Sequence, residues 1–216
     1  AKQVPDPETP PSQFQVDECT NKVVLPRGVP PVINGFDLNA VEAALRLRDV
    51  GHDVEITVMS AGNDFVMEVM KKPLAMGADR LVLIDESGID MLDSTATVKV
   101  LGAAIEKDGP FDLILGGRQA SDWDQGHVIF GLAEIIGLPL VSLVQKLDMS
   151  DDRIQMQRVI TDGFQVVTAH IPSMITITNE LGEPRYPNLR GIMQASRKQP
   201  EVLSLADIGL SSDDLI

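Results

Sequence analysis

Between residues 38 and 136 the chain alternates short apolar runs with stretches of helical periodicity, and few folds accept that rhythm. Asp37 reads as the N-cap of a helix over about 38–49, with Leu38, Val41 and Leu45 on one stripe and Gly51 as its stop. Val54 to Met59 reads as a strand. Asp64 to Ala75 reads as a helix closing at Gly77, with Pro73 awkward in its last turn. Arg80 to Ile84 is a near-continuous apolar run, as buried parallel strands have. Asp93 or Ser94 caps a helix reaching about Lys107, and Asp112 to Leu115 is the next strand. A loop from Gly116 to Asp124 leads into a helix ending near Ile136. Such alternation builds a parallel sheet with right-handed crossovers.

After Pro139 the rhythm changes. Leu140 to Leu147, Ile154 to Ile160 and Phe164 to Ile171 read as strands joined by tight turns at Ser150-Asp151-Asp152 and Thr161-Asp162-Gly163, and Ser173 to Thr178 reads as another. Ahead of all this, residues 1–36 are rich in proline and polar groups. They hold one β-like run, Lys22-Val23-Val24-Leu25, and a turn at Arg27-Gly28-Val29-Pro30-Pro31. The expected class is α/β: a doubly wound, mostly parallel sheet with helices on both faces, plus a C-terminal antiparallel hairpin region and an extended tail. Residues 1–182 are expected to form the α/β domain. Residues 183–216, proline-rich and basic before a polar end, form an extended segment. A doubly wound sheet usually opens with a central strand, yet this chain opens Ala1-Lys2-Gln3-Val4-Pro5, so a strand is expected before Ala1.

Composition narrows the partners. The formal net charge of −14 repels phosphate backbones, so nucleic acid and anionic membrane surfaces are poor partners. Aromatics, at 4% of residues, are too scarce for stacking platforms. No apolar run approaches a membrane span. Cys19 is the only cysteine and cannot make an internal disulfide, which fits a reducing cytosol. With His52, His127 and His170 scattered, a zinc site of Cys and His finds no ligand set. Met67, Met70 and Met76 recur at helical spacing, as core filler does.

Open parallel sheets bind ligands at the carboxyl ends of their strands. Three loops meet that condition: Ile33 to Asp37, Ser60-Ala61-Gly62, and Gly116 to Val128. In the third, Gly116-Gly117 permits a tight turn and Asp124 would cap the next helix. Free N–H groups of Gln125, Gly126, His127 and Val128 would then face an anion. The same pattern also suits a plain capped helix after a turn. Asp122-Trp123-Asp124 matches the D-x-D metal-binding pattern of nucleotide-sugar transferases, which leaves a metal-dependent transferase as the alternative function.

Five segments in order carry a resemblance: Lys2-Gln3-Val4-Pro5-Asp6, Val32-Ile33-Asn34-Gly35-Phe36-Asp37, Leu74-Ala75-Met76-Gly77-Ala78-Asp79-Arg80, Gly117-Arg118-Gln119-Ala120-Ser121-Asp122, and Asn179 through Met193 with Glu183-Pro184-Arg185-Tyr186-Pro187. Together they resemble the β subunit of electron-transfer flavoproteins. The resemblance implies a heterodimer whose α subunit holds FAD, with AMP or a second FAD in the β site. It assigns the nucleotide pocket to Asn34, Gly35, Phe36, Asp37, Ala61, Arg118, Gln119, Ala120, Ser121, Asp122, Trp123, Asp124, Gln125, Gly126, His127, Val128 and Ile129. It also implies docking on a dehydrogenase of the acyl-CoA type through Leu189, Ile192 and Met193. The chain departs from the family at Gly35, usually proline, at His127, usually glutamine, and at Ile129, usually glycine; Trp123 is bulkier than usual. Arg27-Gly28-Val29-Pro30 and Gly126 resemble the flavin-bifurcating members. The resemblance assigns the chain no catalytic residue and no metal, and it implies a C-terminal arm reaching onto the α subunit, expected here to be shortened, cut or disordered after Leu210.

Overall fold

A computed structural model describes residues 1–19, 22–24, 28–86 and 93–215. Leu25 and Arg27 of the sequence reading lie outside them. The described strands and helices run β1 Gln3–Val4, β2 Gln15–Asp17, β3 Lys22–Val24, β4 Val32–Ile33, α1 Gly35–Asp49, β5 Thr57–Gly62, α2 Met67–Met70, α3 Lys72–Met76, β6 Arg80–Asp85 and α4 Ser94–Asp108. They continue with β7 Leu113–Gly117, α5 His127–Ile136, β8 Leu140–Ser150, β9 Arg153–Ile160, β10 Gly163–His170, β11 Ser173–Ile177, α6 Leu189–Arg197 and β12 Glu201–Leu203.

Two sheets make the body. One has the order β10-β9-β8-β11-β7 and the other β12-β6-β5. The ladders β5/β6, β6/β12, β7/β11 and β11/β8 are parallel, while β8/β9 and β9/β10 form an antiparallel meander. Strand side chains alternate between faces, and that alternation sorts the core. In β11, Ile175 and Ile177 pack with Ala40 and Ala43 of α1, whereas Met174 packs with Val98 of α4 and Leu132 of α5. In β6, Leu81 and Leu83 meet Leu38, Val41 and Leu45 of α1, whereas Ile84 meets Val100 and Ala104 of α4. Helix α1 therefore covers one face of both sheets, with α4 and α5 on the other. The class is α/β with helices on both faces.

Local differences from the sequence reading have physical causes. The helix expected over 64–75 is two short helices, because Pro73 sits in the first turn of α3, where its missing N–H costs nothing. The strand expected at Val54–Met59 begins at Thr57, since the Ile56 amide donates to Asp79 Oδ2 at 2.8 Å instead of to a ladder. Residues 183–216, expected as an extended segment, hold helix α6. They also return to the body: β12 pairs with β6, and Leu205 and Ile208 join the α4 core.

Candidate functional site

The site is built where α1 begins beside the end of β7. Asn34 precedes α1 and is 2% exposed. Its Nδ2 donates to Gln119 O at 2.9 Å, and its Oδ1 accepts from Ser121 N at 3.2 Å. A buried amide with both ends engaged fixes the 119–121 backbone. Asp37 lies in the first turn of α1 rather than capping it. Its Oδ1 accepts from Gly117 N at 3.0 Å and its Oδ2 from Lys2 N at 2.8 Å. Phe36 lies under the Arg118 guanidinium, 5.2 Å from ring centre to Cζ. Asn34 and Asp37 thus shape the loop with their side chains.

The loop then closes on itself. Ala120 N donates to Gln125 O at 3.0 Å, and Asp124 N donates to Ala120 O at 2.8 Å. This reversal requires a left-handed residue, and Asp124 supplies it at φ 52°. Gly126, not Asp124, is the N-cap of α5, and no side chain caps it. The Asp124 carboxylate instead accepts from Gln119 Nε2 at 2.8 Å. The first-turn amides of His127, Val128 and Ile129 consequently have no intrahelical acceptor. The Ser121 hydroxyl is buried and has no partner among the described residues. Trp123 and His127 are both exposed.

Three glycines let these parts approach. A Cβ on Gly117 would stand 2.7 Å from Asp37 Oδ1, one on Gly126 2.6 Å from Arg118 O, and one on Gly116 2.3 Å from Ile129 Cδ1. Ile129 fills the space above Gly116. Ala61 lies one residue before the end of β5, in the other sheet. Ala1 and Lys2 bridge the two sides: the Ala1 amine donates to Met59 O, and Lys2 Nζ reaches Asp122 Oδ2 at 2.7 Å. Glu180 faces Arg118 from beyond β11. Its carboxyl is held below its ordinary value by the Thr178 hydroxyl, by a backbone amide and by the Arg118 charge.

These features fit the phosphate of a nucleotide: amides at a helix start that no side chain caps, beside a loop fixed by Asn34 and Asp37. A divalent cation fits poorly. Asp122 is closed on Lys2 and Asp124 on Gln119, and no group of three His, Cys, Asp or Glu gathers among the described residues.

The docking candidates sit apart, on α6. Leu189, Ile192 and Met193 are exposed, and Leu189 and Met193 line a shallow concavity with Arg190 and Arg197. Asn188 caps α6 by accepting from Gly191 N at 2.8 Å. That Asn cap and the helical spacing of Leu189, Ile192 and Met193 are the signals in the sequence for this helix. Sequence reasoning missed Lys2, whose role depends on a contact 120 residues away, and the ion cluster of Glu42 with Arg185. No helix among the described residues is long and apolar enough to cross a membrane.

A model of the electron transfer flavoprotein domain matches residues 22–208. The chain is 36% identical over 219 residues to the electron transfer flavoprotein subunit beta of Megasphaera elsdenii, covering 99% of this chain and 78% of that protein. It is 35% identical over 213 residues to the caffeyl-CoA reductase-Etf complex subunit CarD of Acetobacterium woodii, covering 99% of this chain and 79% of that one. It is 35% identical over 184 residues to the electron transfer flavoprotein subunit beta of Bacillus subtilis, covering 85% and 71%.

Proposed function

The chain belongs to the electron transfer flavoprotein family as a β subunit, and from that footing we propose that its start of α5 binds the phosphate of an adenine nucleotide, AMP or FAD. One observation carries the reading. The loop from Gly117 to Gly126 is held in shape by Asn34, Asp37 and its own backbone, while the amides ahead of it are left unpaired. Such a site needs no rearrangement to accept an anion, and the α5 dipole favours one there.

A flavin supplies the electron acceptance and release; the polypeptide supplies binding, orientation and electrostatics. Amides of His127 and Val128 would hold the phosphate. Arg118, stacked on Phe36, would add positive charge beside it. Ala61, near the end of β5, would border the adenosine. No acid or base of this chain is needed in the reaction. The family membership supports an α subunit that carries FAD, with this chain bracing that domain. Residues from 183 onward would serve as the docking segment, presenting Leu189, Ile192 and Met193 to a dehydrogenase of the acyl-CoA type. An apolar anchor of that kind suits a small pocket on a partner.

The test is purification with the α subunit, followed by mass spectrometry of what denaturation releases. The reading expects a yellow complex that a dehydrogenase bleaches. It also expects either AMP with one FAD per heterodimer, or two FAD. A colourless complex that takes up neither FAD nor AMP would end it.

A further inference from the structure

One face of α1 carries Asn39, Glu42, Arg46 and Asp49, residues three or four apart and hence aligned. All four grip the chain just ahead of α6. Asn39 Nδ2 donates to Gly182 O at 2.8 Å, and Arg46 donates through an NH group to Leu181 O at 2.8 Å. Glu42 is 4% exposed and receives Arg185 three times: from its backbone N at 3.1 Å, from Nε at 2.8 Å and from a terminal NH group at 3.3 Å. Arg46 Nε reaches the same carboxylate at 2.9 Å, and Asp49 takes the far side of Arg185 at 2.6 Å. Leu189 follows Arg185 by four residues.

A buried ion pair is a poor way to gain stability, because desolvating both charges offsets most of the attraction. Its particular property is geometry. A guanidinium fork on a carboxylate, with a backbone amide added, permits one position of the chain. Here the position fixed is the root of α6. The helix itself rests on α3 so closely that a Cβ on Gly191 would lie 2.2 Å from Ala75 O.

We infer that Glu42 and Arg185 are positioning residues for docking: they hold the start of α6 so that Leu189, Ile192 and Met193 meet a dehydrogenase already ordered. The inference rests on the docking role proposed for those three residues. Ordering them beforehand removes an entropic cost from association and leaves the electron-transfer step itself alone.

The experiment uses the intact heterodimer and an acyl-CoA dehydrogenase chosen because it reduces the wild-type complex. Glu42→Gln and Arg185→Lys each remove part of the fork. Both are expected to raise the KM for the heterodimer about three- to tenfold, with the limiting rate and flavin content unchanged. Amide exchange should rise in 183–197 and stay constant in 113–136. Asp108→Asn, which cuts the Arg80 pair between β6 and α4, controls for general loosening and should leave KM alone. A KM raised equally by Asp108→Asn overturns the inference. So does a KM unchanged in Glu42→Gln and Arg185→Lys while Leu189→Ala raises it. If Leu189→Ala leaves KM unchanged, the docking role fails and the inference falls with it.

Discussion

A single methyl group separates two glycines of the site. At Gly117 it would meet Asp37 and Phe36 within 2.7 Å; at Gly35 it would meet nothing within 4 Å. Gly117→Ala must push α1 away from β7, and overpacking of this kind costs about 1–3 kcal/mol. A chain of this size would then melt lower by about 2–4 °C per kcal/mol, and the complex should retain less nucleotide. Gly35→Ala should melt at or slightly above the wild-type temperature, since alanine favours a helix start over glycine. Thermal melts of the two variants decide between them, and equal losses would contradict the packing described. The reading of Asp124 failed at this scale. Aspartate before a helix is an ordinary cap, and nothing local in the sequence tells a cap from a left-handed residue. The discriminating contacts, Ala120 with Gln125 and Gln119 with Asp124, exist only once the loop has closed.

Among the elements, α1 does three things at once. It covers both sheets, shapes the loop ahead of α5 with its first turn, and anchors the segment before α6 with its later turns. The Glu42–Arg185 pair gives this element a pH signature. Burial alone would raise the Glu42 carboxyl, but hydrogen bonds from Arg185 and Arg46 outweigh it and leave the group below its ordinary value. A carboxyl lowered in the folded state contributes stability that is complete above the unfolded value, about 4.3, and is lost as pH falls through the folded one. The gap in urea midpoint between wild type and Glu42→Gln should therefore be constant from neutral pH to about 5 and shrink below about 4. A gap that widens on acidification would contradict the assignment. Elements with a strong pattern were legible. The apolar run of β6 and the Asp93 cap of α4, whose carboxylate accepts from Thr95 N at 2.7 Å, appear where the sequence puts them. Helix α6 reads less plainly: Leu189, Ile192 and Met193 do recur at helical spacing, but that stripe is exposed, only Ala195 is buried, and the prolines ahead of it suggest extended chain. Its stability comes from the Asn188 cap and the seat on α3, which are matters of packing.

For the whole molecule, the alternation of strands and helices was enough to give a two-faced α/β body, because every buried strand must find apolar neighbours on both sides. The sequence could not show that the strands pair as two sheets spanned by α1. It also could not show that Ala1 and Lys2 bond to β5, to α1 and to the loop after β7. Two of the loops singled out in the sequence, 33–37 and 116–128, do come together in the fold. What the sequence reading lacked was the division of labour, in which Asn34 and Asp37 build the loop and the α5 amides are left to bind. That division is the central claim, and a crystal structure of the heterodimer carrying its bound nucleotide tests it most directly. The account predicts a phosphate oxygen within about 3 Å of the backbone nitrogens of His127 and Val128, with Asn34 and Asp37 still bonded to the loop. A phosphate seated elsewhere, or Asn34 and Asp37 turned out to hold the ligand themselves, would contradict it.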